Sequence, residues 1–136
     1  MKMAQVIAQR SPDPHTQVGA IITSPDHIIL GAGYNGMPRG QDQDSWPWEK
    51  GEHVDFLQSK YTFVVHAEAN AIYNAHGPLD GAIIYTTLFP CNECAKAIVQ
   101  NGIKTVVFDE YQDKDSTKAA EYIFQQSSIK YLKQTS

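Results

Sequence analysis

AIIYTTLFPCNECAKAIVQNGIKTVVFDE, residues 82–110, decides how the chain is built. Its two ends, AIIYTT (82–87) and TVVFDE (105–110), are short runs rich in branched and aromatic residues, the composition that fits a pleated, half-buried strand. Between them the sequence predicts a helix that starts at Pro90 and runs to about Asn101–Gly102. Proline suits a first helical turn because its missing N–H needs no partner there, and glycine is a common stop. The segment is therefore strand, helix, strand.

Working outward, a helix is expected over about 115–126 and a last strand at IKYLK (129–133). Upstream, residues 2–10 read as a short helix ended by the prolines of SPDPHTQ. VGAIITS (18–24) and HIILGAGY (27–34), separated by Pro25–Asp26, read as a β-hairpin. Residues 35–51 carry glycines and prolines without a period and form a long loop, a feature that is usually functional inside a compact domain. A short helix over 52–60 and a longer one from Val65 to Ala75, stopped by Gly77–Pro78, complete the order α-ββ-α-β-α-β-α-β. That alternation after an opening hairpin predicts a five-stranded mixed sheet with helices on both faces, a three-layer α/β/α arrangement. The 136 residues fit a single domain over 1–136. With 42% hydrophobic and 19% charged residues the chain is globular, and no apolar run approaches the roughly 18 residues that span a membrane. The first ten residues lack the apolar core of an export signal, so a cytoplasmic location is expected.

Cys91 and Cys94 are the only cysteines. So close together and without an export signal, they suggest a metal or redox role rather than a disulfide framework. A catalytic zinc takes three protein ligands and leaves one position open, whereas a structural zinc is closed by four. His66, in HAE at another predicted helix start, offers the third ligand. The positive end of a helix dipole also favours thiolate over thiol. Glu68 stands two residues past His66, about 200° round a helix, so it is placed to move the proton of a water rather than to share the metal. H-x-E followed by P-C-x-x-C is the mark of zinc nucleobase deaminases. Three other readings stay open here. The cysteines suit a thioredoxin-like redox pair, although Phe89–Pro90 replaces the expected aromatic directly before the first one; His66 suits a satisfied core histidine; and a closed structural zinc would recruit His15, His53 or His76. A formal charge of −4 argues against a long polynucleotide partner.

AQRSPDPHTQVGAII, GYNGMPRG, HAEANAI, FPCNECAKAIVQNGIKTVVF and DEYQD, in that order, give the chain a resemblance to the deoxycytidylate (dCMP) deaminase family, within the cytidine deaminase-like fold. The resemblance implies one catalytic Zn2+ on His66, Cys91 and Cys94, with Glu68 as the proton carrier in converting dCMP to dUMP and ammonia for thymidylate synthesis. It places Asn35 against sugar and base, Tyr111 at the pocket mouth, and Arg10, Ser11, Thr16 and Gln17 near the phosphate. It further implies a homo-hexamer, activated by dCTP with Mg2+ and inhibited by dTTP at a separate site near Gly33, Gly36 and Arg39. Some members carry a second zinc on cysteines in the long insert, which this sequence lacks. Another cytosine nucleotide, dCTP included, is the alternative substrate. A nucleic-acid editor and a catalytically dead zinc scaffold are weaker readings, the first because of the acidic charge and the second because Glu68 is present.

Overall fold

The strand–helix–strand segment at 82–110 is present as read. β3 (Ile83–Leu88) and β4 (Thr105–Glu110) pair in parallel, Ile84 against Val106 and Thr86 against Phe108, with α4 (Asn92–Gln100) crossing between them. The computed structural model describes residues 1–50 and 55–134. Around that unit lie α1 (Lys2–Ala8), the hairpin of β1 (Gly19–Thr23) and β2 (Ile29–Tyr34), α2 (Lys60–Phe63), α3 (Ala67–Tyr73), α5 (Asp115–Gln126) and β5 (Lys130–Lys133). The sheet runs β2-β1-β3-β4-β5. β1 is antiparallel to both β2 and β3, and β5 is parallel to β4, so the sheet is mixed as expected.

Strand alternation sorts the residues onto two faces. On one face Ala20, Ile22, Ile84 and Val106 meet Ala67 and Ala71 of α3, Ala95 and Ile98 of α4, and Ala120 and Phe124 of α5 in one core. Phe89, just past β3, anchors an aromatic cluster with Phe108, Phe124 and Tyr131 at ring-centre distances of 4.8, 5.9 and 5.7 Å. On the opposite face lies α1. Its backbone lies so close to β1 that a Cβ on Gly19 would stand 2.1 Å from the carbonyl oxygen of Ala4.

Glycine does the same for α3. A Cβ on Gly33 would fall 2.4 Å from the backbone nitrogen of Ala71, and one on Gly31 would fall 2.5 Å from its carbonyl oxygen. Helix and hairpin therefore pack backbone to backbone, and Asn70 and Asn74 fasten the contact by donating to the carbonyl oxygens of Tyr34 (2.8 Å) and Ala32 (2.9 Å).

Several boundaries differ from the sequence expectation for local reasons. The helices expected from Val65 and Pro90 begin at Ala67 and Asn92, because His66 and Cys91 take extended backbone as their N-caps. α1 ends before Gln9 rather than at Arg10, and α3 stops at Tyr73 rather than Ala75. Residues 52–54 of the helix expected over 52–60 lie outside the described residues, and the rest divides into a 3-10 turn, Phe56–Gln58, and α2. The loop expected over 35–51 holds, among its described residues, one 3-10 turn (Gln43–Ser45) and a bridge between Gly36 and Val65.

Gly33→Ala tests the close contact. The added methyl meets backbone that cannot rotate away, so stability should fall by about 1–3 kcal/mol, read as a lower urea midpoint; an unchanged midpoint would mean that α3 does not lie this near.

Candidate active site

Two helix N-termini meet at one end of the sheet. His66 caps α3 and Cys91 caps α4, with Cys94 in the first turn beyond it. The imidazole Nδ1 stands 3.4 Å from each sulfur, and the three ligand atoms all lie within 4.8 Å of one another. Donors on a tetrahedral zinc, with bonds of about 2.3 Å to sulfur and about 2.0 Å to nitrogen, stand roughly 3.6 Å apart. The cluster thus fits zinc in both spacing and donor type. Neither cysteine is in a disulfide. His15 and His76 are exposed and outside the cluster, which holds three ligands among the described residues. His53 lies outside the described residues.

The protons are divided unevenly. A hydrogen bond from Cys94, helped by His66, holds the Cys91 thiol down to about 4. The same bond with Cys91, together with burial, pushes Cys94 up, and Glu68 adds to that push. The hydrogen bond to Cys91 raises His66 above its ordinary value against the opposing effect of burial. A thiolate is the form of cysteine that a metal binds.

Glu68 is buried in the first turn of α3, where Oε1 accepts a hydrogen bond of 2.8 Å from the Thr86 hydroxyl. His66, Glu68 and Cys91 border a cavity of about 210 Å³ whose wall includes Thr16, Asn35, Tyr61 and Phe89. Lys50, Lys60 and Lys114 also line it, against the carboxylates of Asp13 and Glu68.

The expected substrate residues divide. Asn35 and Thr16 border the cavity. Asn35 is heavily engaged within the protein: its Oδ1 accepts from the Val18 N–H at 2.8 Å, and its amide donates to the Thr16 carbonyl at 2.9 Å and to Asp13 at 3.3 Å. Ser11 is buried and donates to the Asn35 carbonyl at 2.7 Å, while Gln17 donates to the Ser11 carbonyl at 2.7 Å. Neither of these two lines the cavity. Tyr111 packs on Phe89 with ring centres 5.3 Å apart, beside the cavity rather than in its wall. Arg10, Gly33, Gly36 and Arg39 border a second cavity of about 800 Å³. There Gly33 serves the packing of α3, and the Gly36 N–H is donated to the Val65 carbonyl at 3.1 Å.

The sequence reading missed an ion pair. Lys60 Nζ lies 2.8 Å from Asp13 Oδ2, both side chains almost wholly buried at 6% and 1% exposure. Burial pushes the Asp13 carboxyl up, but hydrogen bonds from Lys60 and from the backbone N–H groups of His15 and Thr16 outweigh it and hold the group below its ordinary value. No motif marks this pair, because its members are 47 residues apart.

A sheet of this order, carrying a His/Cys/Cys cluster and a buried glutamate at the head of two helices, defines a hydrolytic deaminase of the nucleobase type. Comparison with known proteins agrees. Residues 1–110 match the model of the cytidine and deoxycytidylate deaminase zinc-binding region, and the chain belongs to that family. It is 46% identical to the human deoxycytidylate deaminase over 136 residues, which cover 98% of this chain and 76% of that protein. The probable deoxycytidylate deaminase of Drosophila melanogaster is 45% identical over 138 residues, covering 96% and 68%. The crystal structure of dCMP deaminase from the cyanophage S-TIM5 in complex with dCMP and dUMP superposes with a TM-score of 0.76 at 28% identity, over 98% of this chain and 92% of that one.

Lys60→Met leaves the Asp13 carboxylate buried without its counter-ion, which should cost about 3–5 kcal/mol near neutral pH. Because the Asp13 pKa is lowered on folding, its stabilisation is complete above the unfolded value of 3.8 and is lost as pH falls through the still lower folded value. The gap between wild type and variant, measured by chemical denaturation, should therefore narrow as pH falls, first as the unpaired buried carboxyl of the variant takes up its proton and then, below about pH 3.8, as Asp13 of the wild type does; a gap that is the same at pH 7 and pH 3 would refute the pairing.

Proposed function

We propose that the chain is a single-domain, cytoplasmic, zinc-dependent dCMP deaminase that yields dUMP and ammonia. The observation that carries this is the His66–Cys91–Cys94 cluster with Glu68 beside it, opening on a cavity lined by three lysines. Similarity to deoxycytidylate deaminases along nearly the whole chain supports the cytosine nucleotide as substrate.

His66, Cys91 and Cys94 would hold the zinc, which when bound would supply Lewis acidity toward a water nucleophile at neutral pH. The chain supplies the rest. Glu68 takes one proton of the attacking water and gives it to ring N3 as the C4–O bond forms, then carries the other, from the new C4 hydroxyl, to the amino group as the C4–N bond breaks and ammonia leaves. Phe89 and Val64 give the cavity apolar wall, which suits a flat ring. Lys114 and Lys50, both exposed at its border, and Thr16 receive the 5′-phosphate, with Lys60 behind them. Ser11 and Gln17 act on that site through the turn they build, and Tyr111 through its packing on Phe89.

Regulation rests on the resemblance and on the second cavity. Its size and its arginines, Arg10 and Arg39, suit a nucleoside triphosphate, dCTP with Mg2+ as activator or dTTP as inhibitor, acting on a homo-hexamer. No described helix is long and apolar enough to cross a membrane.

The deciding experiment is ammonia release from zinc-loaded protein given dCMP, dCTP, deoxycytidine and single-stranded DNA. Turnover of dCMP is expected, with Glu68→Ala slower by about 10²–10⁴-fold; a wild type inactive on dCMP, or a fully active variant, would overturn the reading. Lys114→Ala should raise KM for dCMP about two- to fivefold and leave deoxycytidine turnover unchanged. Equal effects on both substrates would remove Lys114 from the phosphate site.

A further inference from the structure

Thr86 lies in the middle of β3, fully buried, on the face where its neighbours Ala20, Ile84 and Val106 are apolar. A hydroxyl in such a layer is unfavourable unless it is hydrogen-bonded. This one has two acceptors in reach, Glu68 Oε1 at 2.8 Å and the Leu88 carbonyl oxygen at 2.9 Å. The adjacent Thr87 serves a different purpose, accepting from the Gly19 N–H at 3.1 Å and so joining two strands.

We propose that Thr86 is a positioning residue for Glu68, its hydroxyl holding Oε1 so that the other carboxylate oxygen is presented to the cavity. The inference rests on the role of Glu68 proposed above. A glutamate has three side-chain torsions between backbone and carboxylate, and the first turn of α3 fixes only the backbone. A donor on the rigid floor of the sheet fixes the far end. Because β3 also leads through Phe89 and Pro90 into Cys91, the strand that carries this donor delivers a metal ligand as well. The proton carrier and the cluster are thus referred to one element.

Thr86→Val keeps the shape and removes the donor; Thr86→Ser keeps the donor. With dCMP, the valine variant should lose about ten- to a hundredfold in kcat with KM within about twofold of wild type, and serine should restore most of the rate. Zinc content by metal analysis should stay near wild type in both, because the ligands are unaltered, while the melting temperature should fall by a few degrees in each, since valine leaves the buried Glu68 oxygen without its donor and serine removes a buried methyl. A valine variant within about twofold of wild type in kcat, or one impaired in KM alone, would overturn the inference. If that variant fails to fold, Thr86→Ser against Thr86→Ala carries the comparison, and equal kcat in those two overturns it. If the wild type deaminates none of the substrates, the functional reading fails separately. Crystal structures of wild type and a folded hydroxyl-free variant then decide the present point: a rotated Glu68 carboxylate supports it, and an unmoved one overturns it.

Discussion

The backbone of α3 lies directly on Gly31 and Gly33, with no side chain between, and this contact sets where His66 and Glu68 stand. Both residues lie within the first turn of that helix or its cap, so the height of α3 above the sheet is also their height. α4 reaches the same place by another route, at the end of β3, where a parallel α/β unit sends its chain from strand into helix. Ligands in open α/β sheets gather outside the carboxyl ends of the strands, and here the two capping residues close on each other at that end. The small residues Ala67, Ala71 and Ala95 let both helices sit low enough for side chains 25 and 28 residues apart to approach within 3.4 Å.

The second organising interaction is the Asp13–Lys60 pair. A buried ion pair is a poor source of net stability, because two charges must first leave water. Its value here lies in what it joins. Asp13 accepts from Lys60, from the amide of Asn35 and from the backbone of its own turn, so one carboxylate ties α2, the end of β2 and the turn before β1 into a single wall of the cavity. Asn35 is held by the same arrangement, which explains why its side chain is so fully engaged with protein.

Local chemistry decided what was legible in the sequence. β3, α4 and β4 were readable because composition, the glycine stop and strand length agree over a contiguous stretch, and the hairpin was readable from its turn. The ligand cluster was legible because each half is a short motif at a helix start. What escaped notice is non-local. Lys60 carries no signal until α2 buries it, and α2 is too short at four residues to leave a period. Gly33 invites a turn or anion reading, yet its φ is not positive, and its reason is the helix above it, which no neighbouring residue announces.

The antiparallel seam between β1 and β3 has a further consequence. It is the hydrogen-bonded ladder that joins the N-terminal hairpin to the parallel strands, and it runs over Ala20–Thr23 against Ile83–Thr86. Glu68 and His66 belong with the hairpin through α3, while Thr86, Cys91 and Cys94 belong with the parallel half. The candidate centre therefore draws on residues from both sides of this seam, which share one core. His66 Nδ1 closes on the two sulfurs across that seam at 3.4 Å, so the spacing of the donor atoms is tied to the register of β1 on β3.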